Sequence, residues 1–495
     1  MKKIILSIFT SIFSCLGLYA QESYQLTLDD CIEIAKEKSY SMLRLKQDAK
    51  IAQYNLNWAT SRLKTHIDLN LSIPQYAKGI GEYKDTLGRI SSYYSEERLN
   101  SSGVLDIYQP LLTDGRIYIQ NSFYGTNDIS NNKYYAGLET RIGFSQPLNA
   151  FYGYNAMKSD LKRARLAHEQ SNKALKREEL NLVYTVSSSY YALLSSQKSA
   201  EIAWSDLERQ KEAFDVSQNK YKAGLIKEVD ALQMEVDLAE AQNSYDMAVQ
   251  NQMASVNSLK EILGVSLHDS ITLSSDLRYE AVVVNVDQAV ELALKNRQEI
   301  KEQEIQIEQQ KLTIQQQKSA GMISSSIDAY VGKLGVGGLN NTSYSDAFQH
   351  SYNDYIDRPI TYGVGLTIRI PILDWGENKA LVKASEARLK SYSYSKEEIE
   401  RSIETDVRNL VASLNSNLKR LQSLEKNLTV AEKSFEITRQ RYSDGDIDSQ
   451  ALALERNRLN TAYRNHLGAY INYQLSLADL MRKTFYDFRQ NLPVQ

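Results

Sequence analysis

The chain has 495 residues, and 58 Lys plus Arg stand against 61 Asp plus Glu for a formal net charge of -3, so nothing in the charge points to nucleic acid as a partner. Two Cys cannot frame a disulfide scaffold. Pro74, Pro110, Pro147, Pro359, Pro371 and Pro493 are the only prolines, and the long proline-free stretches 149–358 and 372–492 favour helices over a compact, turn-rich enzyme.

Residues 1–20 read as a signal peptide. Lys2 and Lys3 precede an apolar stretch that ends in Leu18-Tyr19-Ala20, with a small residue at the cut. Acylation of Cys15 is the alternative processing. After cleavage one thiol, Cys31, is left, and no later run of 18 apolar residues offers a membrane helix. An amphipathic helix opens at Leu28-Asp29-Asp30-Cys31-Ile32-Glu33-Ile34-Ala35, with Thr27 near its cap. A strand at about 65–76 follows, in which Ile67, Leu69, Leu71 and Ile73 alternate with Asp68, Asn70 and Ser72. A hairpin at about 103–124 turns on Asp114-Gly115, and Leu138, Ile142 and Phe144 mark a strand at about 135–148. A long helix is predicted at about 155–220, then the turn Tyr221-Lys222-Ala223-Gly224 and a return helix at about 228–263.

Residues 264–285 read as a linker. Asn285 then caps a helix opening at Val286, strands are predicted at about 323–336 and 361–373, and a long helix at about 377–441. The turn Tyr442-Ser443-Asp444-Gly445, a return helix at about 448–482 and a tail at 483–495 complete the order.

Sliding the chain by 221 residues places Val186, Leu193, Ala200, Leu207, Phe214, Tyr221 and Gly224 on Val407, Leu414, Leu421, Leu428, Phe435, Tyr442 and Gly445. Up to the Tyr these positions step by seven, the spacing of a coiled-coil seam, so Leu193, Leu207, Phe214, Leu414, Leu421, Leu428 and Phe435 are its expected members. The opening helices match at an offset of 258, so 37 more residues separate opening helix and long helix in the first copy. The chain is thus expected to hold two structural repeats, 21–263 and 286–482.

Each strand has about the ten residues a tilted strand needs to cross a bilayer, and strands in lipid must close into a barrel. Four per chain are too few, which implies oligomers. About half of the 33 Tyr fall in 65–155 and 320–375, as in the aromatic belts of membrane interfaces, although the β propensity of Tyr is an alternative account.

The opening helix, the segments Ser145-Gln146-Pro147-Leu148 and Ile370-Pro371-Ile372-Leu373-Asp374-Trp375-Gly376, and the paired Tyr-x-x-Gly turns together resemble the TolC family of outer-membrane efflux proteins. The resemblance implies a mainly α fold with a membrane β portion. It implies a homotrimeric α/β barrel in the outer membrane of a Gram-negative bacterium, with four transmembrane strands and two antiparallel coiled-coil hairpins per chain, the helical part in the periplasm. The hairpin at 103–124 departs from this pattern; the favoured reading is an accessory hairpin, the other being two further barrel strands. Implied partners are a periplasmic adaptor and an inner-membrane transporter of RND or ABC type, besides outer-membrane lipid.

By the same resemblance Asp230 corresponds to an acidic constriction position and Tyr442 to a gating tyrosine. Ala451, Leu454 and Ile447 stand where other members carry acids and an arginine, so Asp444, Asp446 and Asp448 are candidates for a replacement acidic rim. Tyr221, Ala223, Gly224, Leu225 and Gly445 are the implied adaptor-docking tips. The expected activity is a passive exit duct for small-molecule or drug efflux, with type I protein secretion and a non-pore coiled-coil scaffold or adhesin as alternatives. His66, His168, His268, His350 and His466 are scattered without His-Glu-x-x-His, and neither Cys-x-x-Cys nor a phosphate loop is present, so no enzyme, metal or cofactor is expected.

Overall fold

The computed structural model describes residues 23–84, 86, 88–273, 277–341 and 343–494. The expected signal peptide and Cys15 lie outside the described residues, as do 274–276 of the expected linker. In order, the elements are β1 (Ser23–Leu26), α1 (Leu28–Lys38), α2 (Tyr40–Ser61), β2 (His66–Lys84), β3 (Ile90–Pro110), β4 (Arg116–Asp128), β5 (Lys133–Pro147), the short α3 (Asn149–Tyr152) and α4 (Ala156–Lys222). There follow α5 (Glu228–Leu263), β6 (Ser270–Leu273), α6 (Val286–Asn296), α7 (Gln298–Ala320), β7 (Ser324–Asn341), α8 (Tyr344–Asp357), β8 (Thr361–Arg369), α9 (Glu377–Asp444), α10 (Ser449–Thr484), β9 (Tyr486–Asp487) and β10 (Leu492–Pro493). Among the described residues no helix is long and apolar enough to cross a membrane.

The chain divides into two compact units. Of the described residues, one unit comprises those up to Asp48, Asn172–Glu302 and those from Lys396 onward; the other comprises those within Ala49–Ser171 and Gln303–Ser395.

In the first unit local chemistry sets the helix ends. Thr27 Oγ1 accepts from Asp30 N at 3.3 Å while the Asp30 carboxylate accepts the Thr27 N–H at 2.9 Å, a reciprocal cap for α1. Asn285 Oδ1 accepts from the N–H groups of Asp287 and Gln288 at 2.9 and 3.2 Å and caps α6. Gly264 closes α5 with φ +73°, and a Cβ there would stand 2.3 Å from the Lys38 carbonyl, so glycine alone lets α5 end against the end of α1.

The core of this unit is a dry seam. Val186 and Leu193 of α4, Val407, Leu414 and Leu421 of α9 and Leu480 of α10 are buried together, with the small Ala35, Ala289 and Ala293 in the same cluster. Each such Leu contributes roughly 1.5–3 kcal/mol by leaving water. Tyr473 is fully buried yet satisfied, donating to Glu280 O at 2.6 Å and accepting from Val282 N at 2.9 Å. Phe435 belongs to a second, smaller cluster against which Leu428 packs, while Leu207 and Phe214 are half-buried.

The second unit is built on a six-stranded antiparallel sheet, order β2-β3-β4-β5-β7-β8. Ile67, Ile107, Ile119, Ile142, Val331 and Tyr362 are successive cross-strand partners, one apolar side chain from every strand. All except Ile107 are exposed, Tyr362 at 79 %. The neighbouring row runs Asp68, Asp106, Gln120, Arg141 and Gly332, so strand alternation yields one apolar and one polar face. On the polar face Tyr118 lies over its partner Gly143, Tyr124 over Gly137 and Tyr330 over Gly363; a Cβ at these glycines would meet the ring within 2.7 Å.

The segment 103–124, expected as an accessory hairpin, is paired into the sheet. Its residues belong to β3 and β4, which pair with β2 and β5 inside the sheet, and Asp114 at φ +67° helps close the loop between them. Both strands are paired on each side, β3 with β2 and β4, and β4 with β3 and β5, so their backbone groups are satisfied within the sheet. β2 also runs past its expected end, through a register shift between Ser72 and Gln75 that accommodates Pro74. β8 stops at Arg369 because Pro371 has no N–H for another rung.

α8 falls where the sequence reads as β-like. Ser343 Oγ accepts from Asp346 N at 3.1 Å, and the helix ends before Pro359. It lies directly on the sheet, since a Cβ at Gly335 or Gly337 would fall 2.2 or 2.1 Å from the carbonyls of Ser351 and Ala347. Ser351 Oγ donates to Gly335 O at 3.0 Å, Val336 N to Asp354 Oδ2 at 2.8 Å, and Tyr355 OH to Thr140 Oγ1 of β5 at 2.9 Å.

Cys31 is fully buried, and burial, with the Asp30 charge adding to it, pushes its thiol up to about 12. Maleimide at neutral pH is therefore expected to leave Cys31 unmodified in the folded protein and to label it in denaturant. Mass spectrometry reads the outcome, and fast labelling of the folded protein would show that this core opens.

Candidate functional site at the ends of the long helices

α4 and α9 close with the same backbone chemistry. Leu225 N donates to Lys220 O at 2.9 Å and Gly224 N to Tyr221 O at 2.8 Å; Asp446 N donates to Arg441 O at 2.9 Å and Gly445 N to Tyr442 O at 3.2 Å. Both are Schellman closures, with the left-handed φ supplied by Gly224 at +74° and Gly445 at +88°. α10 then starts at Asp448, whose Oδ1 accepts from Ala451 N at 2.8 Å. At α5 the Asp230 carboxylate reaches back to the Lys227 N–H at a longer 3.4 Å.

A cleft of about 400 Å³ lies at these turns, lined among others by Lys220, Ile226, Asp230, Tyr442, Asp444 and Asp448. Lys220 ties one hairpin to the other: its Nζ donates to Tyr442 O at 2.6 Å and stands 4.5 Å from the tyrosine ring centre. Tyr442 is 6 % exposed and packs with Phe435, Leu452 and Leu459. Burial first, and the Asp230 charge second, raise its hydroxyl above the ordinary tyrosine range, so it stays a neutral phenol at physiological pH. Three carboxylates against one ammonium leave the cleft negative.

Of the residues expected at a constriction, Asp230, Tyr442, Asp444 and Asp448 meet in this cleft, whereas Asp446 is exposed and does not line it. Asp448 doubles as a helix cap, and Asp444 accepts from Gln440 Nε2 at 3.2 Å. Tyr221, Ala223, Gly224 and Gly445 are exposed in the two turns. Leu225, 73 % exposed, begins an apolar row with Val229, Leu232 and Val236 of α5. Sequence reasoning passes over Lys220. The 221-residue offset that aligns it with Arg441 could have found it, since both are cations at a helix C-terminus.

A second cluster, away from the cleft, also escapes the sequence. Arg456 of α10 is hydrogen-bonded to Gln210 of α4 and stands 3.8 Å from Asp206 and 3.9 Å from Asp237. Its side chain is 13 % exposed and those of the two acids 18 % and 11 %, and Asp237 also accepts from Gln233 at 2.8 Å. Among the described residues no group of His, Cys, Asp and Glu could hold a metal.

Residues 118–265 and 289–484 match the outer membrane efflux protein family. The chain belongs to that family. It is an outer-membrane protein of a Gram-negative bacterium, with its helical part in the periplasm, and its relatives are channels rather than enzymes. Outer membrane protein TolC of Vibrio cholerae serotype O1 is 21% identical to it over 352 residues, 69% of this chain and 75% of TolC. The Campylobacter jejuni CmeC outer membrane channel superposes with a TM-score of 0.69 at 13% identity, covering 97% of this chain and 92% of CmeC. The outer membrane protein VceC of Vibrio cholerae gives 0.68 at 14% identity, covering 94% and 97%. At such identities the structural likeness speaks for the fold.

The outer membrane efflux fold makes the charged cluster testable. Arg456→Met should leave Asp237 buried without this cation and lower stability by about 3 kcal/mol, the range for breaking a buried pair. Adding Asp237→Leu should recover part of that loss. Thermal unfolding of the three proteins in one detergent checks it, and additive losses would show that the two side chains are uncoupled.

Proposed function

We propose that this protein is the outer-membrane exit duct of a tripartite export system, a passive conduit for small molecules. An inner-membrane transporter of RND or ABC type drives them through a periplasmic adaptor. The observation that carries the reading is the exposed apolar row Ile67-Ile107-Ile119-Ile142-Val331-Tyr362 beside a polar one. Such a sheet suits hydrocarbon on one side and water on the other. Its outer strands β2 and β8 carry backbone groups that lipid cannot satisfy, so copies must join edge to edge. A homotrimer would supply eighteen strands from three copies of six, two per chain more than the family pattern, the additional pair being β3 and β4. Ile372 and Trp375, 92 % and 91 % exposed just after β8, support contact with a second copy.

Two hairpins of like build support the repeat reading. Helices of 67 and 36 residues make one, and helices of 68 and 36 the other. In a trimer each carboxylate of the tip cleft becomes a ring of three that draws cations and repels anions. Asp230, Asp444 and Asp448 are the ring candidates, with Asp446 on the outer rim. Tyr442 and Lys220 hold the tip closed, and opening it parts the two hairpins. The adaptor docks on Tyr221, Ala223, Gly224, Leu225 and Gly445, where an exposed apolar side chain stands between two helix turns.

Planar-bilayer recording from the detergent-extracted oligomer is the test. Discrete conductance steps are expected, and a soluble, non-conducting oligomer would overturn the duct. Asp230→Asn is expected to lower the cation-to-anion permeability ratio, and an unchanged reversal potential would remove Asp230 from the lumen. Lys220→Ala is expected to raise conductance severalfold by releasing Tyr442; a conductance equal to that of the unaltered protein would remove Lys220 from the gate.

A further inference from the structure

α8 sits on the apolar face of the sheet. Gly335 and Val331 are four residues apart on β7, and Thr140 and Ile142 two apart on β5, so each pair points to one side. Gly335 and Thr140 touch α8, through Ser351 and Tyr355, while Val331 and Ile142 belong to the apolar row. The helix therefore rests on the sheet next to that row.

Its own surface is divided three ways. Ala347 and Ser351 face the strands and are fully buried. Tyr344, Phe348, Tyr352 and Ile356 recur every four residues along one flank and are 40 %, 52 %, 47 % and 53 % exposed. Gln349 and Asn353, hydrogen-bonded to each other at 3.1 Å, share the opposite flank with Asp346 and Asp357, and all four are exposed.

We propose that α8 is an interfacial membrane helix, its aromatic flank seated at the boundary of headgroups and acyl chains and its amide and carboxylate flank in water. Three observations select lipid as the occupant. The apolar flank continues an apolar surface of an outer-membrane protein, the opposite flank is uniformly polar, and the exposed rings are two tyrosines and a phenylalanine, side chains suited to that boundary. A helix held this way fixes the height of β7 in the bilayer, because its backbone lies against Gly335 and Gly337 with no side chain between.

The inference rests on the barrel reading, and the experiment separates the two. Single variants Tyr352→Cys, Asn353→Cys and Ile142→Cys are spin-labelled in the full-length protein, reconstituted in phosphatidylcholine vesicles, with buried Cys31 left unlabelled. Collision with oxygen, which concentrates in lipid, is compared with collision with a water-soluble nickel chelate. The label at Tyr352 is expected to favour oxygen severalfold, and the label at Asn353 the nickel chelate. A Tyr352 label that favours nickel puts the flank in water and overturns the proposal. A Tyr352 label shielded from both puts a second copy on the flank and also overturns it. The Ile142 label reports on the sheet itself: if it too favours nickel, the barrel reading fails; if it favours oxygen while Tyr352 does not, only the placement of α8 fails.

Discussion

The backbone of a sheet in hydrocarbon must satisfy its own hydrogen bonds, and the organisation of the strand unit follows from that constraint. Successive strands are antiparallel neighbours except where the helical segment intervenes between β5 and β7, and those two strands also pair. The pairing of β7 with β8 ends at Gly332, and from there α8 takes up the work: Lys333 Nζ donates to Ile356 O, and Gly335 O and Val336 N find Ser351 and Asp354. A short last strand is thus compatible with a long β7. The two faces then divide by side chain alone, isoleucines on one and tyrosine rings lying over glycines on the other, so that each ring covers backbone a side chain would otherwise shield.

Much of the helical part was legible because helices advertise their limits. Proline-free stretches bounded α4, α5, α9 and α10, the heptad steps named Leu193, Leu414 and Leu421 as buried, and Tyr-x-x-Gly marked the two Schellman closures. Thr27 and Asn285 read as caps because a short polar side chain before an amphipathic run has few other uses. Phe214 and Leu207 read as seam but stay half-buried, since heptad spacing says which face a residue occupies and not how closely the neighbour approaches there.

The less legible parts have local reasons. β2 beyond Gln75 carries Lys78, Gly79 and Gly81, and β3 before Asn100 carries Glu96, Glu97 and Arg98, so the alternation that marks their other ends is lost where Lys78 and Glu97 pair across the strands. α8 is hidden by its tyrosines, which read as strand; its real signals are Ser343 three residues before Asp346 and the four-residue repeat Ala347, Ser351. Arg456, Asp206 and Asp237 look like ordinary solvated helix charges until three helices bring them together, because ionic partners carry no periodicity of their own.

Seam and tip of the helical unit are held by different physics. Along the seam, aliphatic side chains are buried from water, and that contribution depends little on salt. At the tip α4 and α9 bring two helix C-termini together, each carrying about half a negative charge, beside Asp230, Asp444 and Asp448. Lys220 is the cation in the cleft, bonded to a carbonyl of the last turn of α9 while belonging to the last turn of α4. One such contact is worth roughly 1 kcal/mol where water reaches it, less in salt, against many buried leucine contacts farther along the helices. A partner that offers Lys220 a better acceptor would therefore act on a contact at the tip and leave the buried core of the helical unit packed.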